Sequence, residues 1–138
     1  MKFSWIFLMV FIPSLAFAEI VPSSYPSDSH IKLVTYSPNQ VYRVNGLQGY
    51  TTAIELGPDE NIISVNIGDS SAWLVNVQNN IINLKPVTSN PNTNMNVVSS
   101  RGTYQFFLTA PNTIGNVAKE PNRSTVFLLR FRYPDLTP

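Results

Sequence analysis

Between Ile31 and Tyr133 the chain is written in short runs in which apolar and polar residues take turns. Ile63, Val65 and Ile67 alternate with Ser64 and Asn66, the two-residue period of a strand with one buried face. Gly68-Asp69 ends that run, and Trp73, Val75 and Val77 restart it against Leu74 and Asn76. Asn79-Asn80 is a turn pair that tolerates positive φ, so Ile82 and Leu84 fold back as the next strand of an antiparallel meander. Extended along the chain, the pattern predicts strands at Ile31 to Tyr36, Val41 to Val44, Tyr50 to Leu56, Ile62 to Gly68, Trp73 to Val77, Ile81 to Lys85, Asn94 to Ser99, Thr103 to Thr109 and Thr125 to Tyr133. About nine short strands in one domain, with no sustained helical repeat, predict an all-β fold: a single antiparallel β-sandwich.

The breaks carry turn chemistry. Ser37-Pro38-Asn39, Gly46 to Gly49, Gly57-Pro58-Asp59, Ser89-Asn90-Pro91-Asn92 and Pro111-Asn112-Thr113 place Pro, Asn and Gly where φ must be fixed or positive. The longest irregular stretch, Pro111 to Ser124, exceeds the usual hairpin length and is the first candidate for a partner-contacting loop. Strand faces give an expected core of Leu33, Val41, Ile54, Leu56, Ile63, Val65, Ile67, Trp73, Val75, Ile82, Leu84, Val97, Tyr104, Phe106, Leu108, Phe127, Leu129 and Phe131. The expected organisation is a leader at 1–18, an extended N-terminal arm at 19–30, the sandwich at 31–133 and the start of a linker at 134–138. The arm, rich in Ser and Pro without an apolar period, is expected to be mobile when the domain is alone.

The leader changes the compartment. Lys2, the apolar run Trp5 to Ile12 broken by Pro13, and Ala16-Phe17-Ala18 have the layout of a secretory signal peptide, cleaved between Ala18 and Glu19. The apolar run is shorter than the roughly 20 residues a membrane-spanning helix needs. With no cysteine, the exported chain forms no disulfide and holds no thiolate metal site, so its stability rests on its apolar core. Loss of Lys2 with the leader leaves eight basic and eight acidic residues, without the basic excess of a nucleic-acid binder. Charged residues make up only 12% of the chain, and the polar surface is built from Asn, Ser and Thr, which suits packing against neighbours and equally suits a plain compositional bias.

Candidate chemistry is sparse. His30 is the single histidine, at the edge of the first predicted strand beside Asp28 and Lys32, and is expected to be an exposed edge residue without converging metal or catalytic partners. Glu55, Asp59 and Glu60 suggest a paired-carboxylate hydrolase, yet they flank the Gly57-Pro58 turn, where acids serve solubility. No Gly-x-Ser-x-Gly elbow occurs. Trp73 is a candidate stacking platform for a sugar or peptide, but its alternation with Val75 and Val77 favours the core. Asn122-Arg123-Ser124 matches a glycosylation acceptor by pattern alone. Arg130 and Arg132 alternate with Leu129 and Phe131, giving either a charge-protected edge strand or a stripe that pairs with acidic groups of a neighbouring subunit. No catalytic, cofactor or metal residue is assigned. The candidate interface residues are Asn112, Asn116, Lys119, Asn122, Arg130 and Arg132.

In order, Tyr36, Gln40-Val41-Tyr42, Gly49 to Leu56, Gly68-Asp69, Trp73, Leu84-Lys85-Pro86, Thr93 to Val97, Arg101 to Phe106 and the aromatic strand Val126 to Tyr133 with Pro134 resemble the N-terminal domain of the TrbG/CagX-type conjugal-transfer proteins. The resemblance implies a non-catalytic periplasmic component of a type IV secretion core complex, associated with its outer-membrane layer. It further implies a ring built with a scaffold subunit, copies of itself or a full-length relative, and an outer-membrane lipoprotein that contacts mainly a second β-domain. That second domain is missing from the resemblance, which makes the chain a truncated form or a short paralogue. The rival from another class is a stand-alone periplasmic ligand-binding or adhesin-like module, which requires a concave aromatic-lined site.

Overall fold

A computed structural model describes residues 9–13, 20, 22–24, 28–112 and 120–134. Its strands are β1 (Ser23–Ser24), β2 (Ile31–Thr35), β3 (Val41–Asn45), β4 (Thr52–Glu55), β5 (Ile62–Ile67), β6 (Trp73–Gln78), β7 (Ile81–Pro86), β8 (Thr93–Ser99), β9 (Thr103–Thr109) and β10 (Leu128–Arg132). They form a six-stranded sheet in the order β1-β2-β10-β4-β7-β6 and a four-stranded sheet in the order β3-β9-β8-β5. Ile54, Ile82, Leu84 and Leu129 of the first sheet and Tyr42, Val44, Met95, Val97, Phe106 and Leu108 of the second are buried in one shared core, the layered solution that two half-apolar sheets require.

The all-β sandwich is as the sequence pattern predicts, but the sheets are mixed. Local hairpins β6–β7 and β8–β9 are antiparallel, whereas β10 runs parallel to both β2 and β4, and β3 runs parallel to β9. The cause is where the last strand enters. Phe127 and Leu128 donate their backbone N–H groups to His30 O at 2.9 and 3.2 Å, and Ala53 donates to Phe127 O at 2.9 Å. The chain therefore reaches β10 at the starting ends of β2 and β4 and can only run alongside them. The predicted final strand Thr125 to Tyr133 is correspondingly shorter, because its first residues serve this entry.

Two turns show why particular residues are needed. Tyr50 N donates to Leu47 O at 3.0 Å across a turn in which Gly49 takes φ +90°, a backbone region costly for side chains. Asn79 takes φ 54° in the β6–β7 hairpin, and Asn80 Nδ2 reaches across to Leu56 O at 2.9 Å. At β3 the Tyr42 hydroxyl accepts from Ser37 N at 2.7 Å and donates to Ser37 O at 2.9 Å, fixing the step from one sheet to the other.

The expected core needs correction in β2, β3, β5 and β6 and just ahead of β10. Val34, Tyr42 and Val44 are buried where Leu33 and Val41 were expected, so β2 and β3 present the opposite face. Both strands carry apolar residues at adjacent positions, and a two-residue period cannot then choose a face. In β5 a register irregularity between Ile62 and Ser64 leaves Ile63 exposed, and Val65 and Ile67 are only partly buried because β5 is a terminal strand. Val75 is partly exposed on the other terminal strand, β6, and Phe127 is half-buried ahead of β10.

The N-terminal arm contributes structure of its own. Ser23–Ser24 pair antiparallel with Lys32 and Leu33, Ile20 bridges to Tyr42, and Pro22 is buried. The proposed cleavage pair Ala18 and Glu19 lies outside the described residues, and of the expected linker start at 134–138 only Pro134, which is exposed, lies within them. Residues 9–13 are exposed and belong to no strand, and among the described residues no helix is long and apolar enough to cross a membrane.

Trp73 is 2% exposed, and its indole Nε1 donates to Pro91 O at 2.6 Å. A side chain at Gly46 would meet the Trp73 ring at 3.0 Å, so the backbone there is pressed onto the indole. Replacing a buried Trp by Ala costs about 3–5 kcal/mol through lost transfer energy and the cavity left behind. Trp73→Ala should lower the unfolding free energy by that amount, read as a reduced denaturant midpoint at unchanged slope in equilibrium unfolding.

Candidate assembly surfaces

Among the described residues, those proposed for partner contact fall on the outer face of β10 and on the connection between β9 and β10. Arg130 and Arg132 project from the outer face of β10, opposite the buried Leu129 and Phe131. β10 lies between β2 and β4, so a charge-protected edge strand is not the explanation of these arginines. Arg130 Nε donates to Glu55 Oε2 of the neighbouring β4 at 2.5 Å, an exposed cross-strand pair of the kind worth less than about 1 kcal/mol. Arg132 is exposed at the end of the strand.

On the loop side, Asn112 and Asn122 are both exposed, while Asn116 and Lys119 lie outside the described residues. Asn122 has local work: its Oδ1 accepts from Ser124 N at 2.9 Å and Ser124 Oγ at 2.6 Å, and its N donates to Thr125 Oγ1 at 3.1 Å. This turn is the hinge on which the chain enters β10. Beside it, Arg43, Asn45, Asn92, Thr109, Asn122 and Ser124 are among the residues lining an open depression of about 250 Å³.

His30 is half-buried rather than exposed. Its ring stacks on Phe127 at 4.4 Å, and its Nδ1 lies 3.0 Å from Asp28 Oδ1. Hydrogen bonds from the His30 backbone and ring hold the Asp28 carboxyl below its ordinary pKa. Lys32 is buried, which pulls its pKa down, and its Nζ donates to Arg123 O at 2.9 Å. These groups tie the first strand to the segment that leads into the last. Among the described residues no group of three or more His, Cys, Asp or Glu is placed to hold a metal ion.

The acid that sequence reasoning misread is Glu60. It was expected to be a soluble turn residue, yet it is 5% exposed. Its carboxylate accepts from Ser99 Oγ and Tyr104 OH at 2.6 Å, and from Gly57 N and Arg101 Nε at 3.1 Å. The Arg101 guanidinium lies over the Tyr133 ring at 4.0 Å, and the Tyr133 hydroxyl sits 2.8 Å from that of Tyr104 while accepting from Gly57 N at 2.9 Å. Burial alone would raise the pKa of Glu60, but donation from Ser99, Tyr104, Tyr133 and Gly57 outweighs it and holds the carboxyl below its ordinary value. Burial and the nearby carboxylate push the Tyr104 and Tyr133 hydroxyls up. The cluster is internal and closed. With four donors converging on it, this carboxylate fastens strands; it is not aimed into a cleft.

A family model described as conjugal transfer protein, CagX, matches residues 29–137, almost the whole sandwich. The chain belongs to the CagX family. Among its relatives, the type IV secretion system protein virB9 of Bartonella quintana is 35% identical over 98% of this chain and 49% of its own length. The virB9 protein of Bartonella henselae is 37% identical over 87% of this chain and 42% of its own. The type IV secretion system protein PtlF of Bordetella pertussis is 29% identical over 86% and 49%. The chain thus spans about half the length of these CagX-family relatives.

A depressed carboxyl pKa has a signed consequence. Because Glu60 is more acidic folded than unfolded, its contribution to stability is complete above the ordinary Glu range and is lost as pH falls through its lowered folded value. Glu60→Gln should therefore reduce stability at neutral pH by about 3 kcal/mol, since buried donors lose a charged acceptor. It should also flatten the fall in stability on acidification, as read by urea titrations at a series of pH values.

Proposed function

We propose that this domain is a non-catalytic, periplasmic building block of a type IV secretion core complex, working by contact with a scaffold subunit and with copies of itself or a full-length relative in a ring. The observation that carries the reading is the family match over residues 29–137, joined by relatives that bear the name of type IV secretion proteins. The chemistry of the domain supports it. Glu60 with Arg101 is spent on fastening strands, Glu55 with Arg130 forms an exposed cross-strand pair, and the Trp73 indole is enclosed where a stacking platform would have to be open. The balanced charge gives no reason for direct contact with a transported nucleic acid. By the same family likeness, an outer-membrane lipoprotein would contact mainly the half that the relatives have beyond the matched length.

Export precedes assembly in this reading. The leader pattern from Lys2 to Ala18 should direct secretion, and mass spectrometry of periplasmic protein should find Glu19 at the N-terminus. Intact Met1 in the inner membrane contradicts it. Co-expression with the scaffold subunit and a full-length relative, followed by co-purification and electron microscopy, should place the chain in a large ring. Arg130→Glu with Arg132→Glu, or replacement of residues 113–119 by Gly and Ser, should reduce incorporation while the fold persists. Absence of the unaltered chain from the complex removes the assembly role, and normal incorporation of both variants moves the interface elsewhere.

A further inference from the structure

The two sheets differ in width. β6 ends the six-stranded sheet and β5 ends the four-stranded one, and a groove of about 280 Å³ lies between them, lined by Val65, Ile67, Ser70, Trp73, Leu74 and Val75. Val75 and Val77 stand across from Leu84 and Ile82, which are fully buried, so they face the space between the sheets. They are nevertheless 37% and 42% exposed. Val65 and Ile67 likewise oppose the buried Val97 and Met95 and are only partly covered. These aliphatic side chains point inward and are only partly covered by the described residues.

An apolar, uncharged terminal strand is a liability that proteins normally blunt with Lys, Pro or a covering segment. From Ile62 to Gln78 the sequence holds a single charged residue, Asp69, and it stands in the connection between the strands. The opposite side of the sandwich is treated differently. There the chain's own arm supplies uncharged residues to both sheets, Ile20 bridging to Tyr42 of the terminal strand β3, Pro22 buried, and Ser23–Ser24 paired beside β2.

We propose that the open side receives an extended, uncharged segment of a partner subunit other than a copy of this chain, as an added strand on the outer edge of β5, its alternate aliphatic side chains filling the groove against Val65, Ile67 and Val75. Backbone pairing would supply affinity, and the apolar groove would select the side chains, as in strand addition generally. A charged segment is disfavoured because the groove offers nothing to pair with a desolvated charge. The identity of the occupant as another subunit rests on the assembly reading above; the groove's chemistry does not.

The test titrates the folded chain with the capped peptide acetyl-Val-Thr-Val-Thr-Val-Thr-amide and with its counterpart carrying Asp at every Val position, following amide hydrogen exchange. Saturable slowing across Ile62–Ile67 with the first peptide and none with the second is expected. Val75→Lys should weaken binding by about tenfold or more, because it places an unpaired charge against the added strand. Asn76→Lys, on the other face of β6, should stay within about twofold. Unfolding midpoints of both variants near that of the parent chain separate lost binding from lost folding. No slowing at β5, or equal weakening by Asn76→Lys, overturns the proposal. So does protection of β5 that grows with protein concentration in the absence of peptide, which assigns the groove to a second copy. A chain that binds the peptide but stays out of the secretion complex overturns the assembly reading alone.

Discussion

The sandwich depends on one late strand. β10 is the last in sequence, yet it separates β2 from β4, and without it the six-stranded sheet is two unconnected pieces. Its Phe131 stands edge-on to Tyr42 at 4.8 Å, Tyr104 at 5.1 Å and Phe106 at 6.0 Å, all on the facing sheet. Such edge-to-face pairs add about 0.5–1.5 kcal/mol each beyond the area they bury. Strand pairing within one sheet and ring packing onto the other are therefore satisfied together by five residues at the end of the chain.

Glu60 and its donors fix the same end of the sandwich. The carboxylate sits between β4 of one sheet and β5 of the other, and it gathers Ser99 at the end of β8, Tyr104 of β9 and Arg101 between them. Through Gly57 and Tyr104 the Tyr133 hydroxyl joins the cluster immediately after β10. A chain leaving the domain at Pro134 thus starts from an anchored position. For the contact role proposed above, a rigid exit and one partly unfilled side are more telling than any cleft. Rigidity keeps the cost of ordering low when neighbours bind, and the unfilled side leaves apolar surface to bury.

Much of the fold is legible in the order of residues. Alternation placed eight of the β2–β10 strands within about two residues at each end, because terminal polar runs and Gly, Pro and Asn turns mark them clearly. Strand direction was not legible: turns such as Asn79-Asn80 dictate antiparallel neighbours, while the parallel placement of β10 follows from long-range bonds at His30 and Ala53 that leave no local trace. Faces were lost where apolar residues are adjacent, as at Leu33-Val34 and Val41-Tyr42. Glu60 was missed because an acid after Gly57-Pro58-Asp59 looks like turn polarity; the signal available was Arg101 and Tyr104, spaced to close on it only once β5, β8 and β9 are paired. The open side was equally hidden, since Val75 and Val77 have the period of core residues, and only the unequal widths of the sheets expose them.

Native-state hydrogen exchange, measured strand by strand in low denaturant, addresses the dependence on β10 most directly. If β10 holds the sandwich together, Leu128–Arg132 should open only with Ile31–Thr35 and Thr52–Glu55, at the free energy of global unfolding. Exchange of Leu128–Arg132 at a distinctly lower free energy, while its two neighbours remain protected, would contradict the account.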